Sequence, residues 1–80
     1  MKWGVKIMPR DALLDSQGRA VENLLKENHF QLEQCRVGRY VEISTTQASE
    51  DKAREEIQKM TQFVLYNPLI EIFSIERLDK

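Results

Sequence analysis

The sequence is poor in the residues that hold small proteins together by covalent or metal bonds. Among its 80 residues there is one cysteine and one histidine. Cys35 therefore has no partner for an internal disulfide, and with His29 it cannot assemble a zinc-type ligand set in one chain. No apolar run approaches the roughly 20 residues that span a bilayer, and the N-terminus lacks a charged-then-apolar signal pattern. Charge of one sign is lacking as well: 12 Lys and Arg are interspersed with 13 Asp and Glu, so no basic stripe marks a nucleic-acid surface. These absences describe one soluble cytoplasmic domain over residues 1–80, small enough that its own core supplies little stability and association is an expected remedy.

What is present alternates in period. Lys2 to Met8 places Trp3, Val5 and Ile7 on one face, a half-buried strand, and Pro9 ends its pairing. After a loop, Asp15 or Ser16 caps a helix whose apolar stripe is Ala20, Val21, Leu24 and Leu25, closed at Asn28. His29 to Val37 reads as a second strand of edge type, since Phe30 and Leu32 alternate but Gln34 and Arg36 continue their face. Val37-Gly38-Arg39 is a hairpin candidate in which Gly38 takes positive φ. Tyr40 to Thr46 is a third strand, with Val41, Ile43 and Thr45 inward. Ser49, followed by Glu50 and Asp51, caps a second helix. Its stripe of Ala53, Ile57, Met60, Val64 and Leu65 runs to Asn67-Pro68. Ile70 to Leu78 is the fourth strand.

The order βαββαβ predicts an α+β ferredoxin-like sandwich: a four-stranded antiparallel sheet with both helices on one face. The expected core is Val5, Ile7, Val21, Leu24, Leu25, Val41, Ile43, Ile57, Met60 and Val64. The fourth strand reads as apolar on both faces, Ile70 and Ile72 on one and Phe73 and Ile75 on the other. A homo-oligomer covering the face that carries Phe73 and Ile75, or whichever the helices leave bare, would remove that apolar area from water.

No chemistry-bearing constellation emerges. His29 and Cys35 are a conceivable base and nucleophile, but nothing nearby orients them. They read as a helix-end surface residue and a small strand side chain. The carboxylates sit on solvated helix faces, and no glycine-rich phosphate loop occurs. Catalytic, cofactor-binding and metal residues are therefore expected to be absent. RNA-binding modules share this topology, but Gly38-Arg39-Tyr40 is a poor match to their aromatic strand motif and no second stacking residue accompanies it.

Three stretches do resemble a family. Leu14-Asp15-Ser16-Gln17-Gly18-Arg19-Ala20-Val21 is similar to the L-D-P-Q-G-x-A-V of PurS proteins. Arg36-Val37-Gly38-Arg39-Tyr40-Val41-Glu42-Ile43 resembles their R-V-G-K-Y-I-E-L, and Asn67-Pro68-Leu69-Ile70-Glu71 their N-P-V-I-E. Ser16 replaces the usual proline, and Thr61 stands where many relatives have cysteine. The resemblance implies a non-catalytic subunit of phosphoribosylformylglycinamidine synthase in purine biosynthesis. It implies a homo-oligomer bridging an ATP-dependent synthetase subunit and a glutaminase subunit, so that ammonia passes from one to the other, with ATP and Mg²⁺ in the synthetase. Candidate docking residues are Arg36, Arg39 and Tyr40, types enriched at interface hot spots. The alternative of the same topology is a free-standing regulatory domain that binds a small metabolite.

Overall fold

A computed structural model describes residues 1–79. Strand β1 spans Lys2–Pro9, helix α1 Ser16–Glu27, strand β2 Arg39–Ser44, helix α2 Glu50–Met60 and strand β3 Glu71–Arg77. A 3₁₀ turn at Ala12–Leu14 precedes α1, and a π-helical turn at Thr61–Leu65 follows α2. β1 lies in the middle of the sheet, antiparallel to β2 (Trp3 opposite Ile43, Val5 opposite Val41) and to β3 (Val5 opposite Ile75, Ile7 opposite Phe73).

The expected sheet of four strands is thus corrected to three. The segment after α1, read as the second strand, has two of its amides, on alternate residues, occupied elsewhere. Cys35 N donates to Glu22 Oε1 at 2.8 Å and Val37 N to Asp15 Oδ2 at 2.9 Å. Backbone donors already held by side chains of the preceding helix and its cap are not offered to a neighbouring strand. Nor is there a hairpin at Gly38, whose φ is not positive. Glycine is required there by closeness: a Cβ would collide with the Ile7 carbonyl oxygen and Met8 Sδ.

The core lies between the sheet and α2. Trp3, Val5 and Ile7 are fully buried with Ala53 and Ile57, and Met1, Val41, Ile43, Leu65, Tyr66, Phe73 and Ile75 pack partly around them. α2 starts where Ser49 Oγ accepts the Lys52 amide and where Glu50 and Asp51 meet the positive end of the helix. Arg54 lays its guanidinium 4.9 Å from the centroid of the buried Trp3 ring, which adds cation–π attraction to the burial. At the far end the buried Thr61 hydroxyl donates to the Ile57 carbonyl at 2.8 Å. That back-bond accompanies the change from α to the wider π turn, and the turn sends Phe63 and Val64 into solvent. Val64 is therefore not a core residue, and Met60 is only partly covered, at 39% exposure.

α1 departs furthest from expectation. It does not lie on the sheet beside α2; its contacts with other elements are chiefly with the turn before it. Val21 and Leu24, expected in the core, are exposed, as is Ala20 of the same stripe, and Leu25 is half-buried. The helix ends in a Schellman motif, with His29 N donating to Lys26 O and Phe30 N to Leu25 O. His29 holds the left-handed position at φ 69°. The fourth-strand pattern also resolves differently. β3 turns Phe73 and Ile75 toward α2, while the bare face of the sheet carries Lys2, Lys6, Tyr40, Glu42, Ser44, Ser74 and Glu76, with Ile72 as the apolar exception on β3.

Candidate functional site at one end of the sheet

The three family-like stretches, distant in sequence, meet where β1 ends and β2 and β3 begin. Asp15 ties the first to the second. Its carboxylate is 3 % exposed and caps α1 by accepting the Gly18 amide at 2.7 Å on Oδ1. Oδ2 accepts the Val37 amide and lies 3.4 Å from Arg36 Nε. The Val37 amide is the main cause holding the Asp15 carboxyl below its ordinary pKa, aided by Gly18 and Arg36 against the cost of burial. Gly18 is part of the same device, since a Cβ there would strike the carboxylate. Arg36 Nη2 in turn donates to the Pro9 carbonyl.

Glu71 ties the second stretch to the third. It accepts from Arg39 Nη2 at 2.8 and 2.9 Å and from the Asn67 amide at 2.8 Å. The Asn67 amide, followed by Arg39, holds its carboxyl low. Asn67 Oδ1 accepts the Leu69 amide, and the Asn67 carbonyl accepts from Ile70 and Glu71, an Asx-turn that opens β3. Arg10 closes the circuit, its amide donating to the Ile70 carbonyl at 2.8 Å and its Nε to Pro68 O at 2.9 Å.

Arg36, Arg39 and Tyr40 are brought to one end of the sheet but hold different positions. Arg36 is half-buried in the clasp with Asp15. Arg39 is largely exposed and paired with Glu71 on the helix side. Tyr40 lies on the bare face, its ring over Gly4, where a Cβ would meet the phenol hydroxyl, and it donates to Glu76 Oε1 at 2.9 Å. The Glu76 bond is the chief cause raising the Tyr40 pKa. Phe73 and Ile75 are half-buried on the helix side, Phe73 edge-on to Tyr66 with ring centroids 4.7 Å apart. Sequence reasoning gave no site role to Glu71 or Asn67. The signal for them was their place in a motif whose other members converge here.

The comparisons concern the whole chain. Residues 2–79 match the family model for PurS, phosphoribosylformylglycinamidine (FGAM) synthase. The chain belongs to the PurS family. It is thereby a subunit of FGAM synthase, an enzyme of purine biosynthesis. The FGAM synthase subunit PurS of Thermotoga maritima is 23% identical over 78 residues, which cover 96% of this chain and 95% of that one. The solved PurS of Thermus thermophilus is 30% identical and superposes with a TM-score of 0.81, covering 98% of this chain and 96% of that one. A chain in the solved PurLQS of Thermotoga maritima, 23% identical, superposes with a TM-score of 0.88 over 96% of this chain and 95% of its own. Among the described residues no group of three His, Cys, Asp or Glu is gathered as a metal set, and no helix is long and apolar enough to cross a membrane.

Proposed function

We propose that this chain bridges the synthetase and glutaminase subunits of a cytoplasmic FGAM synthase, so that ammonia freed from glutamine reaches formylglycinamide ribonucleotide. The observation that carries the reading is the convergence of all three motif stretches on one end of the sheet, where their residues serve to hold backbone segments together. A surface built by such links is shaped for docking, and the Thermotoga maritima relative sits in a PurLQS assembly. ATP and Mg²⁺ chemistry belongs to the synthetase in this reading. Arg39 and Tyr40, both exposed, are the residues offered to a partner, and Arg36 positions the segment that presents them. Self-association is part of the proposal, drawing on apolar groups that one chain leaves half-covered, Phe73 and Ile75 among them.

Omission from a reconstituted mixture tests the bridge. Leaving the chain out should abolish most glutamine-dependent synthesis and spare synthesis from an ammonium salt. Glutamine-dependent synthesis that persists without it would overturn the reading.

A further inference from the structure

The outer side of β3 is open, since the sheet runs in the order β2, β1, β3. Leu78 N donates to Lys2 O and Arg10 N to Ile70 O. The even-numbered residues between them, Ile72, Ser74 and Glu76, therefore exchange backbone bonds with β1. The odd-numbered Phe73, Ile75 and Arg77 aim their N–H and C=O groups away from it. Edge strands are ordinarily blunted by charge, proline or a bulge. Ile72 to Ile75 carry neither charge nor proline, and the register with β1 runs without a bulge from Trp3 opposite Arg77 to Pro9 opposite Glu71. β2, at the other edge, differs in placing the charged Glu42 in the middle of its outward row, between Tyr40 and Ser44.

The strand that fits this edge is β3 of a second copy. Laid antiparallel about a two-fold axis at Ser74, it sets Phe73 opposite Ile75 of the other copy and Glu71 opposite Arg77. The Phe73, Ile75 and Arg77 amides then meet the Ile75, Phe73 and Glu71 carbonyls across the axis. The Glu71 amide is already held by the Asn67 carbonyl, which marks where the ladder ends. On the helix side the half-buried Phe73 and Ile75 of both copies form one apolar cluster, flanked at each end by opposite charges. At the axis Ser74 faces itself in a non-hydrogen-bonded pair, the closest approach in an antiparallel ladder, and its side chain is small enough to allow it. An axis one residue on, at Ile75, would instead set Glu71 against Asp79 and Phe73 against Arg77.

We propose that two copies join along β3 in this register, their three-stranded sheets becoming one continuous antiparallel sheet with both α2 helices on the same side. The proposal rests on the self-association suggested above and names the strand that carries it. Because α2 lies over β1 and β3, the strand spacing brings the two α2 axes to about 10 Å, a distance at which helices pack. The same patch meets itself reciprocally, so the pairing is isologous.

Disulfide trapping on the full chain provides the test. Cα atoms of a non-hydrogen-bonded antiparallel pair lie about 4.5 Å apart, within disulfide reach. In a Cys35→Ser background, Ser74→Cys should therefore give a covalent dimer under mild oxidation, whereas Gln17→Cys, equally exposed, should form one only by slow collision. In the natural chain, protection of the Phe73, Ile75 and Arg77 amides from deuterium exchange should deepen by about tenfold between roughly 1 and 100 micromolar. Ser74→Lys brings two like charges together at the axis and leaves the core alone, so it should weaken the pairing by about tenfold or more in sedimentation. Failure of Ser74→Cys to cross-link, cross-linking of Gln17→Cys at the same rate, or amide protection that arises only when another subunit of the synthase is added overturns the pairing. The omission experiment reads the bridge separately: a missing cross-link in a chain whose omission abolishes glutamine-dependent synthesis overturns the pairing and leaves the bridge standing.

Discussion

Asp15 shows how one side chain fixes the relation between two segments 22 residues apart. As carboxylate it accepts two backbone amides and faces a guanidinium; protonated, it loses acceptor strength and the charge that Arg36 meets. Its folded pKa is depressed, as are those of Glu22, Glu71 and Asp79. The stability these groups contribute is therefore present above their unfolded values, near pH 4, and is lost as pH falls through the lower folded values. Thermal melting should hold steady above about pH 5 and fall steeply below about pH 4. Asp15→Asn should lower the melting temperature at neutral pH and flatten the acid slope; an unchanged slope would remove Asp15 from the account. Gly38→Ala puts a methyl group against the Ile7 carbonyl and Met8, an overpacking that should cost about 1–3 kcal/mol. Denaturant unfolding reads it directly.

At the scale of elements, α1 and α2 carry similar amphipathic patterns and meet different fates. α2 buries Ala53 and Ile57 against β1, so Ile57→Ala should cost about 2–5 kcal/mol, enough to unfold most of a domain this small. Far-UV circular dichroism in a urea titration checks it. The end of α1 offers the opposite sign. His29 occupies a left-handed conformation that L side chains resist and glycine accepts. His29→Gly should stabilise by up to about 1 kcal/mol, glycine's added freedom in the unfolded chain offsetting part of the relief. A lower melting temperature would show that the histidine side chain contributes more than the strain costs. The segment after His29 illustrates why alternation does not suffice to make a strand. Phe30 and Leu32 alternate with polar residues, yet pairing needs free amides, and those of Cys35 and Val37 are taken by Glu22 and Asp15.

For the whole molecule, the surface left by one copy makes stability a function of concentration, because whatever binds the native state and not the unfolded chain stabilises by mass action. The melting temperature should rise on going from about 1 to about 100 micromolar chain, and a flat dependence would count against association in this range. The sequence by itself determined the α+β class, strand segments around Lys2 to Met8, Tyr40 to Thr46 and Ile70 to Leu78, helix starts at Asp15 or Ser16 and at Ser49, the shared face of Trp3, Val5 and Ile7, and the family. These follow from periodicity, caps and motifs, which are local. Only the tertiary structure decided that the sheet stops at three strands and that α1 stands off it. It also decided that Phe73 and Ile75 face α2 and that Arg36, unlike Arg39 and Tyr40, is held half-buried in a clasp. A helix stripe records that a helix will bury one side without recording against which surface. A carboxylate such as Asp15 or Glu71 shows its partners only once chain segments far apart in sequence have been brought within hydrogen-bonding distance.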